Sequence, residues 1–387
     1  MCADRYSIST MDFLSTLLSS ALSVALTVSV ALHMFFDGTL QSKPTITILP
    51  PAVVTHRNAT SSSSQNIIGT STPPKTVEKK GKDLVVSTTP IASVPIVTPP
   101  STSTINADVL NMQTRAALVN ILCTTGGGGV HAISGSGVFI DNRGVILTNA
   151  HVGQYFLLKD YPTKDNVECT IRTGSPAQPR YRATLLYLPL AWVVDNASQI
   201  IVQQAKGTGE NDYAFLLVTG TTGPDPLPTV FPNLPMTTAE PNTNDGEFLA
   251  AYPAGFLDGT TIEKNLYPTT AYAAVKDLFT FGTGRAVDLI SIGGTIVSQG
   301  GSSGGASVRT NDGKLEGIIA TATTGDTTAV RDLRAITIAH IDRSLTAGGQ
   351  NGIVGLLSQN LTDAAAKFAS TLAPSEKDAL VKVIEHR

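Results

Sequence analysis

The sequence predicts an all-β globular domain, either a barrel or a sandwich, that begins at about residue 107. Three observations predict this class. Short apolar runs alternate with turn-forming residues, long helical patterns are rare, and the composition is rich in glycine (34 residues) and low in charged residues (15%). Such short, regularly interrupted strands are typical of antiparallel sheets. The 387 residues are enough for one large domain of this class with further segments attached.

The predicted strands follow one another along the domain. The apolar run ALVNILC (117–123) is typical of a buried strand. The runs GSGVFI (135–140) and GVILTNA (144–150) are joined through DNRG, a tight-turn signal, so they are predicted to form a hairpin. Later strand-like runs are YRATLLYL, DYAFLLV, GEFLAAYP and LEGIIATA.

Helices are predicted in only a few places. The stretch PLAWVVDNASQIIVQQ (189–204) indicates a helical insertion. After a glycine-rich break, LTDAAAKFASTL (361–372) and APSEKDALVKVIEHR (373–387) are predicted as two short helices. We expect this tail to pack against the β domain.

Charge and residue spacing exclude several partners. The net charge is −3, and no region has the dense Lys and Arg clustering that a nucleic-acid surface needs. The histidines are scattered and no Cys-x-x-Cys pair is present, so we expect neither a metal site nor a cofactor.

The N-terminal region contains one long apolar run. Residues 13–36 include no Asp, Glu, Lys or Arg, and 24 residues are enough to cross a bilayer as a helix. The run exceeds the apolar part of a usual signal peptide, and no clear cleavage site follows it, which favours a retained membrane anchor. A cleaved signal peptide and a buried core helix are the alternatives. With an anchor, the tail 1–12 would be inside and the large domain outside.

A Ser-, Thr- and Pro-rich segment (37–106) separates this run from the β domain. It contains too little apolar surface to offset the entropy of ordering, so we expect a disordered stalk. Asn58 begins a glycosylation motif within it. The predicted order is therefore a short N-terminal tail, a transmembrane helix, a stalk, the globular domain and a helical C-terminal tail (1–12, 13–36, 37–106, 107–345, 346–387).

Two residues and one loop in the globular domain suggest nucleophilic catalysis. His151 lies just past the strand that ends in ILTNAHV, and Asp212 starts the strand in DYAFLLV. The loop SQGGSSGGAS (298–307) follows them. By composition alone the loop is typical of a flexible linker. A serine can act as a nucleophile when a histidine base lies within hydrogen-bond reach and a carboxylate orients that base.

The segments ILTNAHV, NDYAFLLV and GGSSGGAS resemble the three signature segments of chymotrypsin-fold, trypsin-like serine peptidases of the Deg/HtrA kind. The resemblance extends over about residues 107–345. It implies two six-stranded antiparallel β-barrels and a catalytic triad of His151, Asp212 and Ser303. Many Deg/HtrA enzymes carry a peptide-binding PDZ domain, for which the C-terminal tail here is too short.

The family motif Gly-x-Ser-Gly-Gly fits residues 301–305, which makes Ser303 the implied nucleophile. The backbone amides of Gly301 and Ser303 would then form the oxyanion hole. Ser302 occupies the position at which vertebrate digestive enzymes carry an aspartate that pairs with a newly freed N-terminus. With serine there, activation by that route cannot operate.

The resemblance also indicates a substrate pocket. Val297 stands six residues before Ser303, where the base of the primary pocket is expected, so the acidic residue that would select Lys or Arg is missing. The pocket is expected to prefer apolar or small side chains. The strand 317–323 resembles the one that pairs with the substrate backbone, and its candidate contacts are Ala320, Thr321 and Ala322.

The leading hypothesis is a single-pass, membrane-tethered serine endopeptidase that acts on peptides or proteins on the extracytoplasmic side. In that location we expect Cys123 and Cys169 to form a disulfide. The alternatives are a catalytically silent homologue that binds peptides or partners, and a purely adhesive surface protein. The motif Gly-x-Ser-x-Gly also occurs in α/β hydrolases, where a histidine follows the serine, as His340 and His386 do here. The turn-like TNDG after the loop disfavours that fold. The oligomeric state stays open.

Overall fold

The computed structural model describes residues 105–203 and 209–386. The predicted transmembrane segment 13–36 lies outside these residues, as does nearly all of the predicted stalk. No helix within the described ranges is long and apolar enough to span a membrane.

Six antiparallel strands form the first barrel. They are β1 (Leu118–Thr125), β2 (Ile133–Asp141), β3 (Val145–Thr148), β4 (Val167–Thr173), β5 (Gln178–Tyr187) and β6 (Ala214–Thr221). Their order around the closed barrel is β1–β2–β3–β6–β5–β4. Most of their apolar side chains are fully buried in one large core cluster. The predicted closed barrel of six antiparallel strands is confirmed here.

The hairpin between β2 and β3 turns as its sequence predicts. The amide of Gly144 donates to the carbonyl of Asp141 at 3.1 Å, and the Asp141 carboxylate accepts from the amide of Arg143 at 2.8 Å. Gly144 has a φ of +88°, which favours glycine, and a β-carbon there would lie 2.9 Å from the ring of Phe231. This turn fixes the direction of β3, which ends three residues before His151, and His151 lies in the short helix Ala150–Gly153.

Seven strands form the second sheet. They are β7 (Gly246–Ala251), β8 (Thr269–Ala274), β9 (Asp277–Phe279), β10 (Leu289–Gly293), β11 (Ala306–Arg309), β12 (Leu315–Ala322) and β13 (Leu333–Thr337). Their order is β8–β7–β11–β12–β13–β10–β9, and every pairing is antiparallel. A small apolar core lies within the sheet.

The expectation of six strands in this second barrel is wrong because one strand is broken. Only Val275 and Lys276 separate β8 from β9. The amide of Val275 donates to Asp245, just before β7, whereas the amide of Lys276 donates to Ser291 on β10. One kinked segment therefore pairs with both edges of the sheet, which gives the sheet its barrel-like form.

Helices make the all-β description approximate. The insertion predicted at 189–204 contains an α-helix (Leu190–Asn196) followed by a 3-10 helix (Ala197–Ile201). A helix that the sequence analysis missed spans Ala107–Ala117, where the side chain of Asn106 accepts hydrogen bonds from the amides of Asp108 and Val109. Its buried residues, Leu110, Thr114 and Ala117, recur at helical spacing, and Leu110 is the one large apolar side chain among them.

Four helices follow β13, and they are numbered here α1 to α4: α1 (Ile338–Ala347), α2 (Gly352–Leu357), α3 (Leu361–Thr371) and α4 (Ala373–Glu385). His340 lies in the first turn of α1, where Thr337 caps the helix. The helix α3 packs on β5, and α4 packs on the helical insertion, so the tail covers the first barrel.

Glu376 lies in the first turn of α4, and its side chain is fully buried. Neither carboxyl oxygen has a hydrogen-bond partner within the described residues. Burial raises the pKa of Glu376 from 4.5 to about 8. The folded state therefore binds this proton more tightly than the unfolded state.

We expect the free energy of unfolding to fall as the pH rises from about 4.5 to about 8, and to level off above that. Glu376→Gln carries no ionisable group and is expected to remove this part of the pH dependence. Urea unfolding at pH 5, 7 and 9 measures it. An equal pH slope in wild type and variant would contradict the assignment.

Candidate functional site

His151 and Asp212 form a buried pair between the end of β3 and the start of β6. The ring nitrogen Nδ1 of His151 lies 2.9 Å from Oδ2 of Asp212 and 3.2 Å from Oδ1. The backbone amide of His151 also donates to Oδ1 at 3.0 Å. His151 is 2% exposed and Asp212 is fully buried. Because one carboxylate accepts from both the ring and the backbone, the imidazole is held in a single orientation.

The turn that carries Asp212 is fixed by groups on both sides. The side chain of Asn149 donates to the carbonyl of Asp212 at 2.8 Å. On the other side, the hydroxyl of Ser344 in α1 donates to the side chain of Asn211 at 2.8 Å and accepts from the hydroxyl of Tyr213 at 2.9 Å. These supporting residues were missed, because only the folded chain brings α1 beside this turn.

The glycine-rich loop is an ordered turn before β11. The amide of Ala254 donates to the carbonyl of Gly300 at 2.7 Å, and the amide of Gly305 donates to the carbonyl of Ser302 at 2.9 Å. Gly301 has a φ of +87°, and a β-carbon there would lie 2.7 Å from the carbonyl oxygen of Tyr252. The loop is therefore not a flexible linker.

These bonds orient two amides. In a trans peptide the carbonyl and the N–H point in opposite directions. The Gly300 carbonyl is held by Ala254, so the amide of Gly301 points away from Ala254. The Ser302 carbonyl is likewise held by Gly305, so the amide of Ser303 points away from Gly305. Neither amide donates to a backbone carbonyl within the described residues. Two free donors two residues apart can stabilise a developing oxyanion.

Ser303 is brought close to the histidine strand. Its carbonyl accepts from the amide of Ser136 on β2 at 2.7 Å. A β-carbon at Gly304 would collide with the carbonyl of Ser136 and the hydroxyl of Thr148, three residues before His151. Ser303 is partly exposed, whereas the hydroxyl of Ser302 is buried without a hydrogen-bond partner among the described residues. Of these two serines, only Ser303 can meet a substrate.

The residues predicted to line a substrate pocket occupy different environments. Val297 is fully buried in the apolar core of the second sheet, and Ala320 is 1% exposed. Ala322 is half-buried, and the side chain of Thr321 lies outside the described part of the chain. Val297 therefore belongs to the core of the second sheet, and the predicted preference for small or apolar residues stays a prediction.

The end of β12 offers free backbone groups next to the loop. Thr321 pairs with Arg334 on β13, and the amide of Thr323 donates to Asp332 on the same side. Backbone groups alternate between the two edges of a strand, so those of Ala322 point to the opposite edge. The strand β11 pairs with β12 only as far as Ile318, so this part of the edge has no neighbouring strand in the described ranges. An extended peptide can pair there.

Cys123 and Cys169 face each other on β1 and β4 and form a disulfide. The bridge links β1 and β4, which pair in the first barrel, and both cysteines are far in sequence from the glycine-rich loop.

The α/β-hydrolase alternative does not fit this architecture. The loop around Ser303 leads into the strand β11, not a helix, and the sheets are antiparallel. His340 pairs with Asp288 at 2.8 Å and its Nε2 atom is buried without a partner in the described part of the chain. His386 lies at the end of α4. Among the described residues, no hydrogen bond joins either histidine to Ser303.

Similar solved structures include two forms of one protease from M. tuberculosis and a Deg protein. A serine-to-alanine mutant of Rv3671c from M. tuberculosis H37Rv, in an inactive form, is 17% identical and covers 66% of this chain and 97% of its own, with a TM-score of 0.39. The active form of the Rv3671c protease is 16% identical over 67% and 93%, with a TM-score of 0.39. Deg5 is 17% identical over 61% and 90%, with a TM-score of 0.40.

No curated protein sequence gives a significant match to the chain. Residues 135–318 match the family model described as the trypsin-like peptidase domain. This segment contains His151, Asp212 and Ser303. With its two antiparallel, barrel-like sheets, the match supports a chymotrypsin-fold serine peptidase, which implies peptide or protein substrates.

Proposed function

We propose that this protein is a membrane-tethered serine endopeptidase that cleaves peptide bonds through an acyl-enzyme. The observation that carries the proposal is the buried His151–Asp212 pair beside a loop in which the amides of Gly301 and Ser303 have no backbone acceptor among the described residues. Ser303 is the proposed nucleophile, His151 the general base and Asp212 the group that orients the base.

The hydrogen bond to Asp212 determines which ring nitrogen of His151 carries the proton. When Nδ1 donates to the carboxylate, Nε2 carries no proton and can accept one from Ser303. The serine oxygen then attacks the substrate carbonyl carbon, and the carbonyl oxygen becomes an oxyanion between the amides of Gly301 and Ser303. His151 gives the proton to the leaving amine as the C–N bond breaks. Water, deprotonated by the same histidine, then releases the acid product from Ser303.

The substrate would lie along the free edge at Ala322 as an added strand. Since Val297 provides no negative charge at the expected pocket base, we expect no preference for Lys or Arg before the cleaved bond. Small or apolar residues are expected there instead.

We place the peptidase domain outside the cytoplasm. Two observations support this location: the uncharged run 13–36 upstream, and the Cys123–Cys169 disulfide, a bond that persists in oxidising compartments. A protease added to intact cells is expected to degrade the domain. Full protection of the domain until the cells are lysed would contradict the placement.

Cleavage of a mixed peptide library tests the proposed activity. The purified full-length chain is incubated with the library, and new peptide ends are identified by mass spectrometry. We expect internal cleavage by the wild type and none by His151→Ala, because loss of the base lowers turnover by about 10⁶-fold in enzymes of this mechanism. A folded wild type that cleaves nothing would favour the silent, peptide-binding homologue.

A further inference from the structure

Ser136 on β2 joins both barrels at the candidate site. It is fully buried and all of its polar groups are used. Its hydroxyl donates to the carbonyl of Gly301 at 2.8 Å and accepts from the amide of Tyr252 at 2.9 Å. Its amide donates to the carbonyl of Ser303 at 2.7 Å, and its carbonyl accepts from the hydroxyl of Thr148 at 2.7 Å. One residue therefore contacts the glycine-rich loop, the segment after β7 and the strand before His151.

The hydroxyl holds one particular peptide group. The amides of Gly301 and Ser303 belong to the peptides before Gly301 and before Ser303, whose carbonyls are bonded to Ala254 and Gly305. The peptide between Gly301 and Ser302 connects these two units, and its carbonyl is the one that accepts from Ser136. A rotation of this middle peptide would change the orientation of the two flanking amides relative to each other.

Gly301 makes such a rotation easy. The space around it excludes a side chain, since a β-carbon would lie 2.8 Å from the β-carbon of Ala254. Because glycine has no side chain, it can adopt a wide range of backbone angles at little cost in free energy. Two bonds hold this peptide: within the loop its N–H, from Ser302, donates to the carbonyl of Gln299 at a long 3.3 Å, and its carbonyl accepts from the Ser136 hydroxyl at 2.8 Å, the shorter of the two.

We propose that the Ser136 hydroxyl is a positioning group that locks the Gly301–Ser302 peptide and thereby keeps the two candidate oxyanion amides aligned. The kinetic consequence of this inference rests on the proposed peptidase function, whereas its structural consequence does not. Two readouts separate them: amide hydrogen exchange, which needs no activity, and the rate of reaction with a fluorophosphonate probe.

Hydrogen exchange of the full chain tests the lock itself. In Ser136→Ala, the amide of Tyr252 and the hydrogen-bonded amides of Ser302, Gly304 and Gly305 are expected to exchange about tenfold or more faster than in the wild type. Ser134→Ala is the matched control, because it also removes a hydroxyl from β2. The Ser134 hydroxyl accepts from the side chain of Asn120 and makes no hydrogen bond to the loop among the described residues. Equal exchange of 299–305 in wild type and Ser136→Ala overturns the proposal, whether or not the protein is active.

Kinetics test the effect on the amides. Loss of one oxyanion donor costs about 10²–10³ in turnover, so misalignment is expected to lower the probe reaction rate and kcat by about 10- to 100-fold, with KM nearly unchanged. Ser136→Thr and Ser136→Val have the same shape and differ only in the hydroxyl. We expect the threonine variant to react at least about tenfold faster than the valine variant.

Equal rates in this pair would overturn the role of the hydroxyl in aligning the amides. A wild type that shows no reaction with the probe would refute the proposed function. In that case the exchange experiment alone decides whether Ser136 locks the loop.

Discussion

Replacing Ser303 with alanine is expected to abolish peptide hydrolysis, with a loss in kcat of about 10⁶-fold, as nucleophile removal produces in enzymes of this mechanism. The reason is chemical, since alanine has no oxygen to form the acyl-enzyme. Initial rates with the best-cleaved library peptide measure the loss. Circular dichroism checks that the variant is folded.

Ser302→Ala is the matched control for this prediction, because the same substitution is made one residue away. The Ser302 hydroxyl is buried and has no hydrogen-bond partner in the described part of the chain, so its removal breaks no hydrogen bond there. We expect kcat to stay within about threefold of wild type and the stability to be unchanged or slightly higher, since a buried unpaired hydroxyl is unfavourable. Equal losses in the two variants would refute the assignment of the nucleophile.

Asp212→Asn is expected to lower kcat by about 10⁴-fold at neutral pH. The amide nitrogen of asparagine donates where the carboxylate accepted. It therefore favours the histidine tautomer with a proton on Nε2, which cannot take one from Ser303. Full kinetics as a function of pH measure the effect, and KM is expected to change little.

The chain offers a matched control for this substitution at a second histidine–carboxylate pair. Asp288 accepts from Nδ1 of His340 at 2.8 Å and from Arg343 at 2.7 Å, and no hydrogen bond among the described residues joins this pair to the glycine-rich loop. Asp288→Asn is expected to lower stability and to leave kcat within about threefold of wild type. A loss as large as that of Asp212→Asn would show that loosening of the fold, and not the tautomer, explains both results.

Local patterns predicted the parts of the fold that depend on neighbouring residues. The hairpin of β2 and β3 follows from the turn after Asp141, and the insertion and the last two helices follow from their sequence periodicity. The break at Val275 and Lys276 could not be predicted, because it depends on which of two distant sheet edges each residue meets. The helix at Ala107–Ala117 was missed although its buried residues recur at helical spacing, because its buried face carries a single large apolar side chain, Leu110.

The candidate site also contains residues that the sequence predicted and residues that only tertiary contacts reveal. His151, Asp212 and Ser303 were found because their types, their order and their motifs point to one chemistry. Ser136 gave no such signal, since a serine in a strand next to glycines is ordinary. Its role emerges only from hydrogen bonds to residues more than 100 positions away. Supporting residues of this kind depend on tertiary contacts and not on sequence spacing.

The most direct test of the central claim is labelling of the full-length chain with a fluorophosphonate probe, which reacts only with an activated serine. We expect the wild type and Ser302→Ala to be labelled at a single residue, identified as Ser303 by mass spectrometry of the labelled peptide, and Ser303→Ala to remain unlabelled. A folded wild type without label, or a label on a different serine, would contradict the proposal that His151 and Asp212 activate Ser303.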